Sequence, residues 1–142
     1  MQYISTRGEA QKASFTDVLL AALARDGGLF VPESWPRLPA DVIADFKGKP
    51  YSEAAFAVIQ PFVGGGISDA DLKRMIAEAY ATFDVPAIAP LHELRRGEYL
   101  LELFHGPTLA FKDVAMQLLA RLMDHALALK NERVTIVGAT SG

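Results

Sequence analysis

The chain has 142 residues, 51% of them apolar and 22% charged, with a net charge of −3 and no cysteine. That apolar share excludes a disordered chain, and the length allows one domain or a small domain with the start of another. The mixed charge signs exclude a basic tract able to follow a phosphate backbone, and the missing thiols exclude disulfides, thiolate metal sites and cysteine nucleophiles. The segment Met1-Gln2-Tyr3-Ile4-Ser5-Thr6-Arg7 lacks the basic-then-apolar order of a secretory leader. No apolar run approaches the roughly 20 residues needed to cross a bilayer. A cytoplasmic protein with no nucleic-acid or membrane partner is expected.

Taken in chain order, residues 1–8 predict one short strand around Tyr3 and Ile4, ended by Gly8. Ser14, with Asp17 three residues on, predicts a capped helix whose face is Val18, Leu19, Ala22 and Leu23, stopped by Asp26-Gly27-Gly28. Leu29-Phe30-Val31 is a brief apolar run before Pro32. Pro39 predicts the start of a helix running through Phe46. Ser52 predicts the cap of the next helix, with Ala55, Phe56, Val58 and Ile59 on its face and punctuation at Pro61 and Gly64-Gly65-Gly66. Ser68-Asp69-Ala70-Asp71 predicts another cap, before a helix with Leu72, Met75, Ile76, Ala79, Tyr80 and Phe83 on one face.

The texture changes at Val85-Pro86-Ala87-Ile88-Ala89-Pro90, where two prolines cannot sit inside a helix. A boundary is expected there, giving a mainly helical unit over 1–84, a linker over 85–98 and a second unit over 99–142. Residues 99–104 predict a buried strand of a parallel sheet. Thr108 is expected to cap a long helix over about 109–129, with Val114, Leu118, Leu119, Leu122, Met123 and Ala126 as its buried stripe. Residues 133–137 predict the next strand. The expected fold class is α/β, with a strand–helix–strand unit of a parallel sheet after the helical unit. An open edge on the strand over 133–137 would invite self-association.

Two loops carry the chemistry. One is His105-Gly106-Pro107-Thr108-Leu109-Ala110-Phe111-Lys112-Asp113; the other is Gly138-Ala139-Thr140-Ser141-Gly142. In an open parallel sheet both would emerge at the carboxyl ends of strands, where ligands bind. Lys112 stands out, because the positive end of a helix dipole and desolvation by Leu109, Ala110 and Phe111 would favour a free amine, as condensation with an aldehyde requires. Asp113 pulls towards the charged form. An ordinary exposed lysine is the plain alternative. The second loop offers hydroxyls and unhindered amides suited to an anion, or else a generic turn. His92, His105 and His125 lack metal-ligand spacing, so no metal is expected.

These residues also carry a family resemblance. Glu102-Leu103-Phe104-His105-Gly106-Pro107-Thr108-Leu109-Ala110-Phe111-Lys112-Asp113 resembles the cofactor-lysine segment of threonine synthases. Tyr3-Ile4-Ser5-Thr6-Arg7-Gly8, Asp26-Gly27-Gly28-Leu29-Phe30-Val31-Pro32 and Gly138-Ala139-Thr140-Ser141-Gly142 resemble three further landmarks, in the same order. The resemblance implies a fold-type-II enzyme that uses pyridoxal 5'-phosphate to convert O-phosphohomoserine and water into L-threonine and phosphate. It implies that Lys112 is catalytic and carries the cofactor, with Phe111 beside it, and that Thr140, Ser141 and Gly142 bind the substrate carboxylate. Family members are about three times longer, by the same resemblance, and the groups for the cofactor's phosphate and ring nitrogen come later. The 142 residues alone are therefore expected to be inactive, binding the cofactor weakly at most. Two other readings stand beside this one: another fold-type-II lyase acting on serine or threonine, and a non-catalytic helical binding module.

Overall fold

The protein's structure, a computed structural model, describes residues 1–139. Strand β1 (Tyr3–Ser5) pairs antiparallel with β2 (Phe30–Pro32), in the register Tyr3 to Pro32 and Ser5 to Phe30. Between them lies α1 (Phe15–Ala21), capped by Ser14, whose side chain accepts the Asp17 amide. This helix ends earlier than the glycines suggested, at Ala22, which has φ 61°. Asp26-Gly27-Gly28 instead forms a turn stitched by the Asp26 carboxylate. That carboxylate accepts the Ser5 hydroxyl at 2.7 Å, the Gly28 amide at 2.9 Å, and the Ala10 and Glu9 amides at 3.0 and 3.1 Å. A Cβ at Gly28 would lie 2.2 Å from Ser5 Oγ, so only glycine fits there.

Helix α2 (Ala40–Ala44) is short and follows Pro39. Helix α3 (Tyr51–Val63) begins at Pro50, not at Ser52, because proline's fixed φ pre-forms the entry to a first turn. It also runs through Pro61, whose missing N–H costs one bond close to the helix end, and stops at Gly64 in the left-handed region. Helix α4 (Asp69–Tyr80) is capped as expected by Ser68, whose hydroxyl accepts the Asp71 amide at 3.1 Å. Leu72, Met75 and Ile76 on its inner face are each 1% exposed.

The expected parallel strand over 99–104 is not found. Residues 98–101 form β4 (Glu98–Leu101), which pairs antiparallel with β3 (Leu91–Arg95), a strand absent from the sequence reading. Both strands are solvent-exposed along their length. The turn Arg96-Gly97 decides this. Gly97 takes φ 80°, which suits a tight hairpin connection, and Arg95 pairs with Glu98 across it at 2.8 Å. The strand expected over 133–137 is also missing. No partner strand lies beside it among the described residues, and a strand's N–H and C=O groups are satisfied only by a partner. The structure is thus an α/β assembly with two small antiparallel sheets.

Helix α5 (Asp113–Lys130) starts four residues after the expected position. Leu109 has φ 61°, which no right-handed helix admits, and Thr108 does not cap the helix amides. Leu118 and Leu122 of α5 share one core with Ala55 and Val63 of α3 and Leu72, Met75, Ile76 and Ala79 of α4. Val114, Leu119 and Met123 are half-buried at the margin of that stripe. An ion pair from Lys130 to Asp17 at 2.6 Å ties the far end of α5 to α1.

Candidate active-site loop

The loop between β4 and α5 is built by hydrogen bonds from its own residues. The His105 carbonyl accepts the Asp84 amide at 3.0 Å, which fastens the loop to the segment after α4. His105 Nε2 lies 2.7 Å from Glu102 Oε2, and its ring sits 4.6 Å from that of Phe104. The Leu109 amide donates to the Gly106 carbonyl at 3.0 Å, and the Asp113 amide to the Ala110 carbonyl at 3.0 Å. Two turns in succession therefore deliver the chain to the helix.

Lys112 is the N-cap residue of α5, with φ −63° and ψ −22°. Its ammonium lies 4.5 Å from the Phe111 ring centroid, so the two residues singled out from the sequence do meet. Among the described residues no carboxylate forms an ion pair with it. The expected desolvation does not occur. Leu109 is 67% and Phe111 63% exposed, and Lys112 is exposed with them. Leu109 and Phe111 lie in the loop before α5 and not on the helix face that packs into the core.

Asp113, which the sequence presents as a charge beside Lys112, is buried, and its carboxylate turns back into the loop. Its carboxylate accepts the Thr108 amide at 2.8 Å and the Thr108 hydroxyl at 2.9 Å. Burial raises its pKa, but hydrogen bonds from Thr108, Ala110 and Gln117 together outweigh that and hold the carboxyl below its ordinary value. The signal available in the sequence was a hydroxyl residue and an acid flanking a glycine- and proline-bearing turn. Tyr80 was read as core, and it is. Its hydroxyl also donates to the Val114 carbonyl at 3.2 Å, bracing the first turn of α5. Burial first, and Tyr51 second, push that phenol's pKa up.

Thr140, Ser141 and Gly142, expected to bind a substrate carboxylate, lie outside the described residues. The parallel sheet that was to aim both loops at one crevice is not present among the described residues. No cluster of three or more metal-ligating side chains occurs among the described residues, and no helix is long and apolar enough to cross a membrane.

Comparison with known proteins bears on these residues. Residues 2–80 match the family model described as threonine synthase N terminus. A threonine synthase of Pseudomonas aeruginosa is 59% identical over 142 residues, covering all of this chain and 30% of the relative. One from Schizosaccharomyces pombe is 43% identical over 151 residues, covering all of this chain and 29% of the relative. The crystal structure of a PLP-bound threonine synthase from Brucella melitensis superposes with a TM-score of 0.97 at 59% identity, covering all of this chain and 31% of that one. The chain spans less than a third of the length of the curated relatives it matches. With more than half of its residues inside that family model, the chain belongs to the threonine synthase family, to the part of it described as the N terminus.

Proposed function

We propose that this chain is the N-terminal part of a pyridoxal-phosphate-dependent threonine synthase, a lyase that converts O-phosphohomoserine and water into L-threonine and phosphate. The reading rests on one observation above the others. Lys112 presents a primary amine with no carboxylate partner among the described residues, at the end of a loop held by backbone and side-chain hydrogen bonds. That donor fits a cofactor that binds through an aldehyde, since an amine already locked in an ion pair would first have to be released. The bound cofactor supplies the electron sink. In this reading Lys112 holds it and later moves protons at the reacting carbon. Phe111 lies against the same amine and flanks the cofactor, and Thr140, Ser141 and Gly142 receive the substrate carboxylate.

Residues 1–84 act as a helical unit beside a second unit starting near 99, with 85–98 as the connection. Leu118 and Leu122 of α5, in the second unit, belong to the same core as α3 and α4 of the first. By themselves, residues 1–142 are expected to show no turnover, because catalysis needs all of its groups preorganised in one site. A cytoplasmic location completes the proposal; the self-association expected through an edge strand over 133–137 loses its basis, because no strand forms there among the described residues.

The decisive experiment places this chain in the Pseudomonas aeruginosa relative, in exchange for the 142 residues it matches. The exchanged protein should release phosphate from O-phosphohomoserine, and borohydride should fix the cofactor at Lys112. Lys112→Ala should lower turnover by on the order of 10²–10⁴-fold and abolish the fixation. Cofactor spread evenly over the six lysines of the chain, or full turnover in Lys112→Ala, would overturn the reading.

A further inference from the structure

We propose that Asp113 is a positioning residue, whose buried carboxylate fixes the turn over 106–112 and so aims the amine of Lys112. The proposal rests on the reading of Lys112 given above, but its structural half stands without it.

Asp113 is only 4% exposed, and among the described residues no cation forms an ion pair with it. A buried carboxylate without a counter-ion persists only when hydrogen bonds replace its hydration. Thr108 supplies two donors, its amide at 2.8 Å and its hydroxyl at 2.9 Å from each carboxylate oxygen, and the Ala110 amide and the Gln117 side chain add to them. The residue at 106 must leave room for the acid. A Cβ there would lie 2.4 Å from Asp113 Cβ and 2.6 Å from Oδ2, closer than any side chain tolerates. Between these two points the chain passes through Leu109 at φ 61°, a conformation disfavoured for any residue with a Cβ. Something must hold it, and the Thr108–Asp113 contact spans it directly.

Lys112 sits at the end of that span and has no side-chain cap or ion pair of its own among the described residues. The point at which its side chain leaves the chain is set by the backbone on either side, and the Phe111 ring, 4.5 Å from the ammonium, is held by the same backbone. Upstream that backbone is fixed by the Asp113 carboxylate. Downstream it is fixed by the first turn of α5, where Tyr80 bonds the Val114 carbonyl. Asp113 belongs to both, so the acid next to the lysine is a brace for it and not its counter-ion.

The test has two arms. In the 142-residue chain, hydrogen exchange is followed at the Thr108 and Leu109 amides for wild type, Asp113→Asn and Asp113→Glu. Asparagine is uncharged and turns one acceptor oxygen into an NH2 donor, where Thr108, Ala110 and Gln117 all bond to the acid. Asp113→Asn should therefore speed exchange at these amides at least tenfold, with α4 unchanged. In the exchanged Pseudomonas aeruginosa protein, Asp113→Asn should lower kcat tenfold or more while KM changes less than threefold, and should shift the visible absorbance of the bound cofactor. Asp113→Glu should recover part of kcat.

Unchanged exchange at Thr108 in Asp113→Asn would overturn the brace. Faster exchange with unaltered kcat and absorbance would show a loop staple that does not aim the amine, which overturns the proposal as well. Failure of wild type to take up the cofactor at Lys112 would refute the function proposed above, and the exchange arm would still decide the brace.

Discussion

Helix α4 and the segment 133–137 have similar claims on the core, and the structure treats them in opposite ways. Along α4, Leu72, Met75 and Ile76 are each 1% exposed; in the segment, Val134 is 51%, Ile136 81% and Val137 90% exposed. The difference is not hydrophobicity. A helix satisfies its own backbone and needs only an apolar stripe to face a neighbour. A strand must find a partner for every second N–H and C=O before its side chains help. Among the described residues α4 has α3 and α5 beside it, whereas 133–137 has no strand beside it.

That contrast can be broken experimentally. Met75→Ala removes a fully buried side chain from the shared core and should cost about 2–5 kcal/mol in urea unfolding. A loss below ~1 kcal/mol would mean that the three helices do not share one packed interior. Ser68→Ala removes the hydroxyl that caps α4 and should cost about 1 kcal/mol, with Ser68→Thr close to wild type.

A weaker link sharpens the picture at the other end of α5. Lys130 donates to Asp17, and that bond, with a second from Ser14, holds the Asp17 carboxyl below its ordinary value. The same bond with Asp17 raises Lys130. The contribution is therefore complete between the two titrations. It is lost as pH falls through the lowered value of Asp17, and again as pH rises through the raised value of Lys130. The melting-temperature difference between wild type and Lys130→Met should shrink on acidification from pH 6 to pH 2, and shrink in high salt. A difference that persists at pH 2 would contradict this link. Smallest of all, Ile136→Ser should change the stability of the 142-residue chain by no more than about 0.5 kcal/mol, because the side chain is already in water.

The site repeats the lesson on a shorter scale. Lys112 stands out in the sequence because its motif is local and its amine suits condensation with an aldehyde, and the structure brings it against Phe111. Its exposure was not legible. Burial of Leu109 and Phe111 depended on where α5 begins, and a positive φ at Leu109 moved that start to Asp113. Asp113 itself was read as a charge because sequence shows adjacency and not direction. Its carboxylate turns back to Thr108, five residues away, and only folded geometry makes that visible. The hairpin of β3 and β4 was missed for a related reason. The Arg96-Gly97 turn was present in the sequence, but the apolar run after it resembled a buried strand.

By itself the sequence determined what short-range physics controls: the caps at Ser14 and Ser68, the buried stripe of α4 and the glycine end of α3. Each depends on residues within a turn or two of one another, where spacing is enough. Tertiary structure alone decided which apolar runs found partners, that α5 completes the core of α3 and α4, and that the Asp113 carboxylate turns back to Thr108. Those outcomes depend on pairings between distant or reversed segments, and the free energy of such a pairing belongs to neither segment alone.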